Sequence, residues 1–426
     1  MQLGTNMNYK LTLIILCSFA LGLPLLSSYF QHQPLPLGEE TYYHLASFPF
    51  LPRFVSFLVV PLLPLLGLAS IILAYHLAQR WKVSEKTTFI FLALLTITPA
   101  FIFTFSTLSA HGLFFFLLLL SLYLLETKWP YLAAIPLLLA THLDTASTLL
   151  LLLIIGHYAY QKRTALSYIL VSVVILSLAL HLLFLPQPFL QGPFHQPHYA
   201  EDLISDLGGE SGMGLLVFSL ALFGLFFSPP RAYVFLAVTI PLYIYSTQAA
   251  FYLSLAAVFF ATQSILYFQN RKWNYPFLHN FILLLILLGA LFSTTTFLQR
   301  IPVHSPGYPG QEALLWLQDH SDEEDLIFSL PEEGHYIQYF AQRQPFYTYN
   351  QRNALTENLT LTILTSTYTS TTFPLLEEQN ITILYITPRL RARYPPEQGL
   401  LFLLKNEKFK LLYSQEGYEI WVYTQE

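Results

Sequence analysis

The chain has 426 residues, of which 54% are hydrophobic and 11% are charged, and its formal net charge is −5. Soluble domains usually contain about 25% charged residues, so this composition excludes an ordinary water-soluble protein and predicts a surface that faces lipid. The single cysteine excludes an intrachain disulfide.

The charges are unevenly distributed along the chain. Residues 1–299 contain eleven Lys or Arg and nine Asp or Glu, whereas residues 300–426 contain nine and sixteen, a net charge of −7. The change in composition near Leu298 predicts a transmembrane domain at 1–298 and an extracytoplasmic domain at 299–426. The acidic tail argues against nucleic acid as a partner.

The first 298 residues contain several apolar runs that are long enough to cross a bilayer, which takes about 20 residues as helix. The first run could also be a signal peptide, but no small-x-small cleavage site follows it and many further runs come after, so we interpret it as a retained helix. The predicted spans are 11–29, 54–77, 87–104, 109–125, 165–185, 214–228, 232–246, 249–268 and 276–298, together with the longer stretch 131–160.

Basic residues decide how the long stretch crosses, because cytoplasmic loops are enriched in Lys and Arg. If the bases between the spans are cytoplasmic, 131–160 crosses twice or not at all, and the polar sequence Thr141–Thr145 is a natural break between two short helices. This gives about eleven transmembrane helices in a multi-pass protein of the cell membrane. The N-terminus is then cytoplasmic and the C-terminal domain extracytoplasmic. In this topology Arg53 is the only base in an external loop between spans.

Six acids fall in two predicted external loops. Glu39 and Glu40 follow the first span, and the loop before the span at 214 contains Glu201, Asp202, Asp206 and Glu210. Two acidic clusters on one membrane face predict a site for general acid/base chemistry or for a cation. The alternative is that the acids only keep the loops solvated.

Aromatic and imidazole side chains follow the first acidic pair. Tyr42, Tyr43 and His44 come directly after Glu40 and Thr41, a composition suited to binding a sugar or a phosphate. Tyrosines of an interfacial aromatic belt would give the same pattern.

The tail alternates predicted strands and helices, which indicates a small α/β domain. The predicted strands are 326–330, 346–349, 381–386, 409–413 and 419–423, and the predicted helices are 311–318, 332–343 and 356–367.

This organisation resembles the GT-C membrane glycosyltransferases, which include protein O-mannosyltransferases and oligosaccharyltransferase catalytic subunits. Glu39 and Glu40 occupy the place of the family's essential acid in the first external loop, and Gly38 to Leu45 is similar to the motif of archaeal members. The loop at 201–214 corresponds to a mobile external loop that bears a glutamate. Leu330 to Ile337 resembles the start of the family's C-terminal domain, so Glu333 and His335 are candidate acceptor-binding residues.

The resemblance implies a polyprenyl-phosphate-linked sugar donor at the lipid bilayer and a protein or glycan acceptor. The chain also departs from the pattern. Leu330 to Glu332 supply no tryptophan pair, Phe105 to Leu108 lack an Asp-x-Asp motif, and glutamate replaces aspartate in the first loop. The metal ligands are therefore unknown. A divalent cation such as Mg²⁺ or Mn²⁺ and a metal-independent reaction stand as equal alternatives.

An enzyme explains both acidic loops on one face. Glu40, with Glu39 as the second candidate, would act as general base, and Arg53 would hold the lipid phosphate. Asp206 and Glu210 would contribute to donor binding. A non-catalytic scaffold or accessory protein that presents the tail is the alternative. A transporter fits less well, since few ionisable residues fall within the spans and no inverted repeat is evident.

Overall fold

The structure is a computed structural model. It describes residues 9–30, 53–107, 109–143, 145–184, 203–207, 212–245, 249–273, 275–300, 306–348 and 354–424. These residues form two compact units: one contains residues 9–27 and 57–300, and the other contains residues 306–424 together with residues 28–30 and 53–56, at the end of the first long helix and the start of the second.

The first unit is helical. Its helices in chain order are α1 (Tyr9–Phe30), α2 (Arg53–Arg80), α3 (Glu85–Ile97), α4 (Pro99–Ser106), α5 (Ala110–Leu125), α6 (Ala134–Thr141, after a 3-10 turn at Pro130–Ala133), α7 (Thr145–Lys162), α8 (Ala165–Phe184), α9 (Leu215–Leu225), α10 (Ala232–Tyr245), α11 (Ala250–Asn270) and α12 (Pro276–Arg300).

Each of the nine predicted spans corresponds to one of these helices or, for α3 and α4, to a bent pair, and the stretch 131–160 corresponds to α6 and α7. Among the described residues four helices, α1, α2, α11 and α12, are long and apolar enough to cross a membrane, and the bent pair makes a fifth candidate. The chain is thus a multi-pass membrane protein by the length and composition of its helices. The predicted break at Thr141–Thr145 is present, since α6 ends at Thr141 and α7 begins at Thr145.

Helix α11 lies at the centre of the bundle. Within its apolar stretch 67% of the residues are buried, against 28% in α12, whose exposed leucines are those of a lipid-facing helix. A glycine brings α9 against it: a Cβ on Gly224 would lie 1.9 Å from the Phe260 carbonyl oxygen. Beside this contact the Ser264 hydroxyl donates to the Leu220 carbonyl at 2.5 Å. Small residues allow such close backbone approach between membrane helices.

The bend between α3 and α4 is 63° and falls at Thr98–Pro99. Proline has no N–H to continue the helical hydrogen bonds, and two threonine hydroxyls supply other donors. The Thr96 hydroxyl donates to the Leu92 carbonyl at 2.7 Å, and the Thr98 hydroxyl donates to the Leu95 carbonyl at 2.6 Å. The break therefore leaves few backbone groups without partners in an apolar environment.

The second unit is a mixed α/β domain. Its elements are α13 (Tyr308–His320), β1 (Leu326–Phe328), an irregular helical segment at residues 331–341, β2 (Gln344–Pro345), α14 (Ala354–Thr365), α15 (Thr369–Glu378), β3 (Ile381–Ile386), α16 (Pro388–Arg393), α17 (Gly399–Leu403), β4 (Phe409–Gln415) and β5 (Tyr418–Tyr423). The five strands form one sheet in the order β2-β1-β3-β5-β4. The pairs of β1 with β2 and β3 are parallel, and those of β5 with β3 and β4 are antiparallel.

The α/β character predicted for the tail agrees with this sheet, and the strand at 381–386 and the hairpin are where the sequence predicts them. Glu416 and Gly417 close the hairpin with φ of 47° and 83°, the left-handed pair that a two-residue turn requires. The strand predicted at 346–349 is displaced: β2 is Gln344–Pro345, and the Phe346 amide then donates to the Ile327 carbonyl at 2.7 Å.

The contact at Gly224 predicts a large difference between two glycine substitutions. Gly224→Ala should lower the thermal stability of the detergent-solubilised protein, because overpacking of this kind usually destabilises by about 1–3 kcal/mol. Gly156→Ala on α7 is the matched control, since a Cβ there meets nothing within 4 Å and alanine favours helix. Equal stability of the two variants would show that the α9–α11 contact tolerates a methyl group.

The predicted orientation can be tested with reporter fusions. A reporter after Leu298 should report the non-cytoplasmic side, and one inserted between Arg80 and Lys86 should report the cytoplasm. If both report the same side, the number of crossings between them differs from the prediction by an odd number.

Candidate functional site

The sequence-predicted catalytic residues lie outside the described part of the chain. This applies to Glu39, Glu40, Tyr42, Tyr43, His44 and Glu210. Arg53 is the first residue of α2, but its side chain also lies outside that part. Asp206, Glu333 and His335 are described, and they belong to different units: Asp206 to the membrane unit, and Glu333 and His335 to the C-terminal unit.

Asp206 holds the loop before α9. One oxygen of its carboxylate accepts hydrogen bonds from the Ser293 hydroxyl of α12 at 2.8 Å and from the amide of Leu215, the first residue of α9. A carboxylate at this position also interacts favourably with the helix N-terminus. Gly214 is required beside it, since a Cβ there would lie 2.6 Å from the Ser293 hydroxyl oxygen. The described contacts of Asp206 are those of a loop anchor.

A buried polar cluster joins the N-terminal ends of three membrane helices. The Tyr252 hydroxyl of α11 lies 3.0 Å from His111 Nδ1 of α5 and 2.7 Å from the Ser147 hydroxyl of α7. All three residues are at most 7% exposed. His111 is near the start of its helix, as its sequence position indicates, and Ser109 caps it by accepting from the His111 amide at 3.2 Å. The partners Ser147 and Tyr252 carried no sequence signal, because they lie 36 and 141 residues from His111.

A second polar cluster joins the C-terminal ends of α2, α5 and α7. Lys162 Nζ lies 3.0 Å from a carboxylate oxygen of Glu126, and the Tyr158 hydroxyl donates to the same carboxylate at 3.2 Å. Arg80 donates to the Glu126 carbonyl and stacks on the ring of Tyr123 at 4.3 Å. These loops are the ones that the basic residues assign to a single face of the membrane.

Glu333 is a buried carboxyl in the C-terminal unit. Its residue is 6% exposed, and burial raises its pKa to about 7, although the charge of Arg389 and a hydrogen bond from Thr387 oppose the change. Glu333 in turn raises the pKa of the neighbouring Tyr385 and Tyr418 phenols, for which burial is the larger cause. A carboxyl with a pKa near 7 can hold or release a proton near neutral pH, which is a requirement for general acid/base work.

The residues on either side of Glu333 are also tightly packed. Glu332 forms an ion pair with Arg393 at 2.8 Å, and His335 is 3% exposed. Gly334 faces the chain at 347–348, where a Cβ would lie 2.7 Å from the Tyr347 carbonyl oxygen. A ligand could reach the Glu333 and His335 side chains only if the 331–341 segment moved away from its neighbours.

Among the described residues no three His, Cys, Asp or Glu side chains are arranged to hold a metal ion. Asp206, the one described acid of the two predicted external clusters, is engaged by a hydroxyl and an amide donor. The described side chains therefore do not form a ligand set for a metal ion.

The raised pKa of Glu333 predicts a pH-dependent stability of the C-terminal unit. The folded state favours the protonated carboxyl, so this contribution is fully present below about pH 4.5 and is lost as pH rises through 7. The difference of about 2.5 pKa units corresponds to roughly 3 kcal/mol. Hydrogen–deuterium exchange of peptides covering Ile381–Ile386, corrected for intrinsic rates, should show falling protection from pH 5 to pH 8. Glu333→Gln should flatten this profile, whereas Glu324→Gln, at an exposed acid, should retain it. Parallel profiles for both variants would contradict the assignment.

No protein-family model matches the chain, and no curated protein matches its sequence. Solved structures do match its fold. The crystal structure of the Archaeoglobus fulgidus oligosaccharyltransferase, tethered with an acceptor peptide containing the NVT sequon, aligns with 99% of this chain and 74% of that chain at 12% sequence identity and a TM-score of 0.55. The apo form of that enzyme aligns with 99% and 75% of the two chains at 13% identity and a TM-score of 0.51. The chain thus has the fold of an archaeal oligosaccharyltransferase along nearly its whole length, and the resemblance to the GT-C membrane glycosyltransferases is confirmed for the fold.

Proposed function

We propose that the protein is a membrane glycosyltransferase. It transfers a sugar or oligosaccharide from a polyprenyl-phosphate-linked donor to a protein or glycan acceptor on the extracytoplasmic face. The observation that carries the proposal is the likeness in fold to the Archaeoglobus fulgidus oligosaccharyltransferase over 99% of the chain. It is supported by the two acidic clusters that the sequence places in external loops.

The general base of the proposed reaction is Glu40, with Glu39 as the second candidate. Its carboxylate accepts the proton of the acceptor hydroxyl or amide as the acceptor attacks the anomeric carbon, and the lipid phosphate leaves. A single displacement inverts the configuration at that carbon. The two glutamates are adjacent, so in most conformations one of them faces the site. The tyrosines and histidine that follow Glu40 favour Glu40 as the glutamate that faces the site.

The donor is held in this proposal by Arg53 and by the second acidic loop. Arg53, at the start of α2, is placed at the membrane edge by its sequence position, where a guanidinium can bind the lipid phosphate. Glu210 and Asp206 belong to that loop and contribute to donor binding in this proposal. Asp206 is anchored to Ser293 and to the start of α9, which fixes the described end of this loop.

The acceptor is proposed to meet the C-terminal domain at Glu333 and His335, which requires the 331–341 segment to move because both residues are buried. The segment is followed by one residue in the left-handed conformation, Gln342, with φ of 53°. Because no tryptophan pair precedes Glu332, we expect an acceptor preference different from that of an enzyme that reads an asparagine sequon.

The central test replaces one carboxylate with its isosteric amide. Glu40→Gln should lower the rate of transfer by about 10²- to 10⁴-fold, because that is the usual contribution of a general base, while expression and membrane insertion stay normal. Glu39→Gln should have a smaller effect, and Glu324→Gln, at an exposed acid of the C-terminal unit, is a control for charge loss elsewhere. The measurement follows consumption of lipid-linked sugars in membranes, with and without a chelator, so that metal-dependent and metal-independent reactions are distinguished.

The scaffold alternative predicts a different outcome. If neither the wild type nor the Glu39→Gln/Glu40→Gln double variant consumes any donor tried, the chain is a non-catalytic protein that presents its C-terminal domain. Normal turnover by the double variant alongside a defect in a variant of another acid would instead move the base to that residue.

A further inference from the structure

The membrane unit contains an apolar cavity of about 420 Å³ between α2, α3, α5, α7, α10 and α11. Its volume falls in the range of about 300–1,000 Å³ found for ligand pockets in proteins. The walls are mainly leucine, phenylalanine and alanine side chains. A cavity of this composition suits a hydrocarbon chain better than a polar solute, since a polar solute would lose its hydrogen bonds to water there.

The cavity has a closed end and an open end. Tyr252, which is 1% exposed, lies at the closed end, beside the cluster with His111 and Ser147. Trp81 and Val83, which are 47% and 37% exposed, are at the other end, in the corner between α2 and α3. Along α11 the lining extends from Tyr252 to Gln263, about 16 Å of helix. This is about half of the roughly 30 Å hydrocarbon core, or the depth of one leaflet.

A polar group faces the cavity close to its open end. Thr88, in the first turn of α3, is 3% exposed and lines the cavity, and its hydroxyl has no hydrogen-bond partner among the described residues. Buried hydroxyls normally have partners. A ligand with an oxygen between its hydrocarbon chain and its headgroup would provide one, and the glycerol linkage of a phospholipid has an oxygen at that level.

Bases outnumber acids at the open end, where Lys82 and Lys86 flank one exposed acid, Glu85. Lys82 and Lys86 are both exposed, in the corner between α2 and α3. Neither forms an ion pair with a described residue. Arg80, by contrast, is occupied by Tyr123 and the Glu126 carbonyl. Trp81 is the residue type that marks the headgroup level of a membrane. Two free lysines at that level complement a negatively charged headgroup.

We propose that this cavity binds one acyl or alkyl chain of an anionic phospholipid, with its headgroup on Lys82 and Lys86 and its glycerol linkage oxygen accepting from Thr88. The headgroup site is at the Glu126 and Lys162 end of the bundle, and only the closed end of the cavity reaches Tyr252. It is therefore separate from the external loops assigned to the sugar donor, and it does not depend on the proposed function. A structural lipid there fills the gap between α3 and α11 from one leaflet.

The headgroup contact is tested on the full-length protein in detergent by native mass spectrometry, with phosphatidylglycerol and phosphatidylcholine of identical chains. The wild type should bind phosphatidylglycerol more tightly. Lys82→Ala/Lys86→Ala should reduce that affinity by roughly 10- to 30-fold, since each base near an anionic lipid contributes about fivefold. The control is Arg163→Ala/Lys272→Ala, which removes two exposed bases from other loops. It is matched in backbone, because Lys82 and Arg163 both have positive φ, 57° and 51°.

The chain and linkage contacts are tested separately. Thr88→Val keeps the shape of the side chain and removes the hydroxyl, so it should weaken phosphatidylglycerol binding about fivefold, the effect of one hydrogen bond. Ala78→Phe should block the cavity and weaken both lipids, with the circular dichroism spectrum used to confirm that the variant is folded. If Ala78→Phe does not fold, the binding measured for Thr88→Val decides whether the lipid occupies the cavity.

Three outcomes would overturn the proposal. The first is equal binding of phosphatidylglycerol and phosphatidylcholine to the wild type. The second is an equal loss of phosphatidylglycerol affinity in Lys82→Ala/Lys86→Ala and in Arg163→Ala/Lys272→Ala, which would show a general effect of positive charge. The third is displacement of phosphatidylglycerol by an equimolar polyprenyl phosphate, which would assign the cavity to the donor's lipid.

Discussion

The structure depends on one constraint, that a hydrocarbon environment offers no hydrogen-bond partners. Backbone groups in the membrane unit must be paired within helices, and side-chain polar groups must either find one another or lie at a helix end. The chain follows this rule with two clusters at opposite ends of the bundle. His111, Ser147 and Tyr252 join three helix starts, and Arg80, Glu126 and Lys162 join three helix ends. Elsewhere in the bundle helices are joined by single hydrogen bonds, such as that between the Thr141 and Ser177 hydroxyls at 2.6 Å, and by close approaches such as Gly224 on Phe260.

The location of the helices could be predicted from the sequence because apolar length is a local property. Which helix is central could not. α11 and α12 are both apolar, yet α11 is largely buried and α12 faces lipid. Small residues permit burial only where a second helix packs against them, and the sequence of one helix does not show which helix that is. The polar cluster was missed for the same reason, since Ser147 and Tyr252 are unremarkable in their own segments and acquire a role only through His111.

The candidate site shows the same limit in a different form. The position of Glu333 in a helical segment after β1 was predictable from the residues around it, whereas its raised pKa was not. Burial comes from a sheet whose strands lie up to ninety residues downstream, and the opposing groups, Thr387 and Arg389, follow β3. Asp206 was predicted as part of an acidic patch, and in the fold its carboxylate also fixes a loop to α9 and α12. An acid in a sequence cluster can therefore have a structural role, and the sequence pattern does not distinguish that role from a catalytic or binding role.

The bend at Thr98–Pro99 has a mechanical consequence. An unbroken membrane helix resists flexing, because any change of angle stretches hydrogen bonds that lipid cannot replace. In α3–α4 those bonds are already interrupted, and the carbonyls of Leu92 and Leu95 are held by threonine hydroxyls, which rotate with the chain. The pair is a compliant joint in an otherwise stiff bundle. Displacement of α4 moves the turn that leads to Ser109 and His111. A conformational change at that end of the bundle can therefore move one short helix while the helices around α11 stay in place.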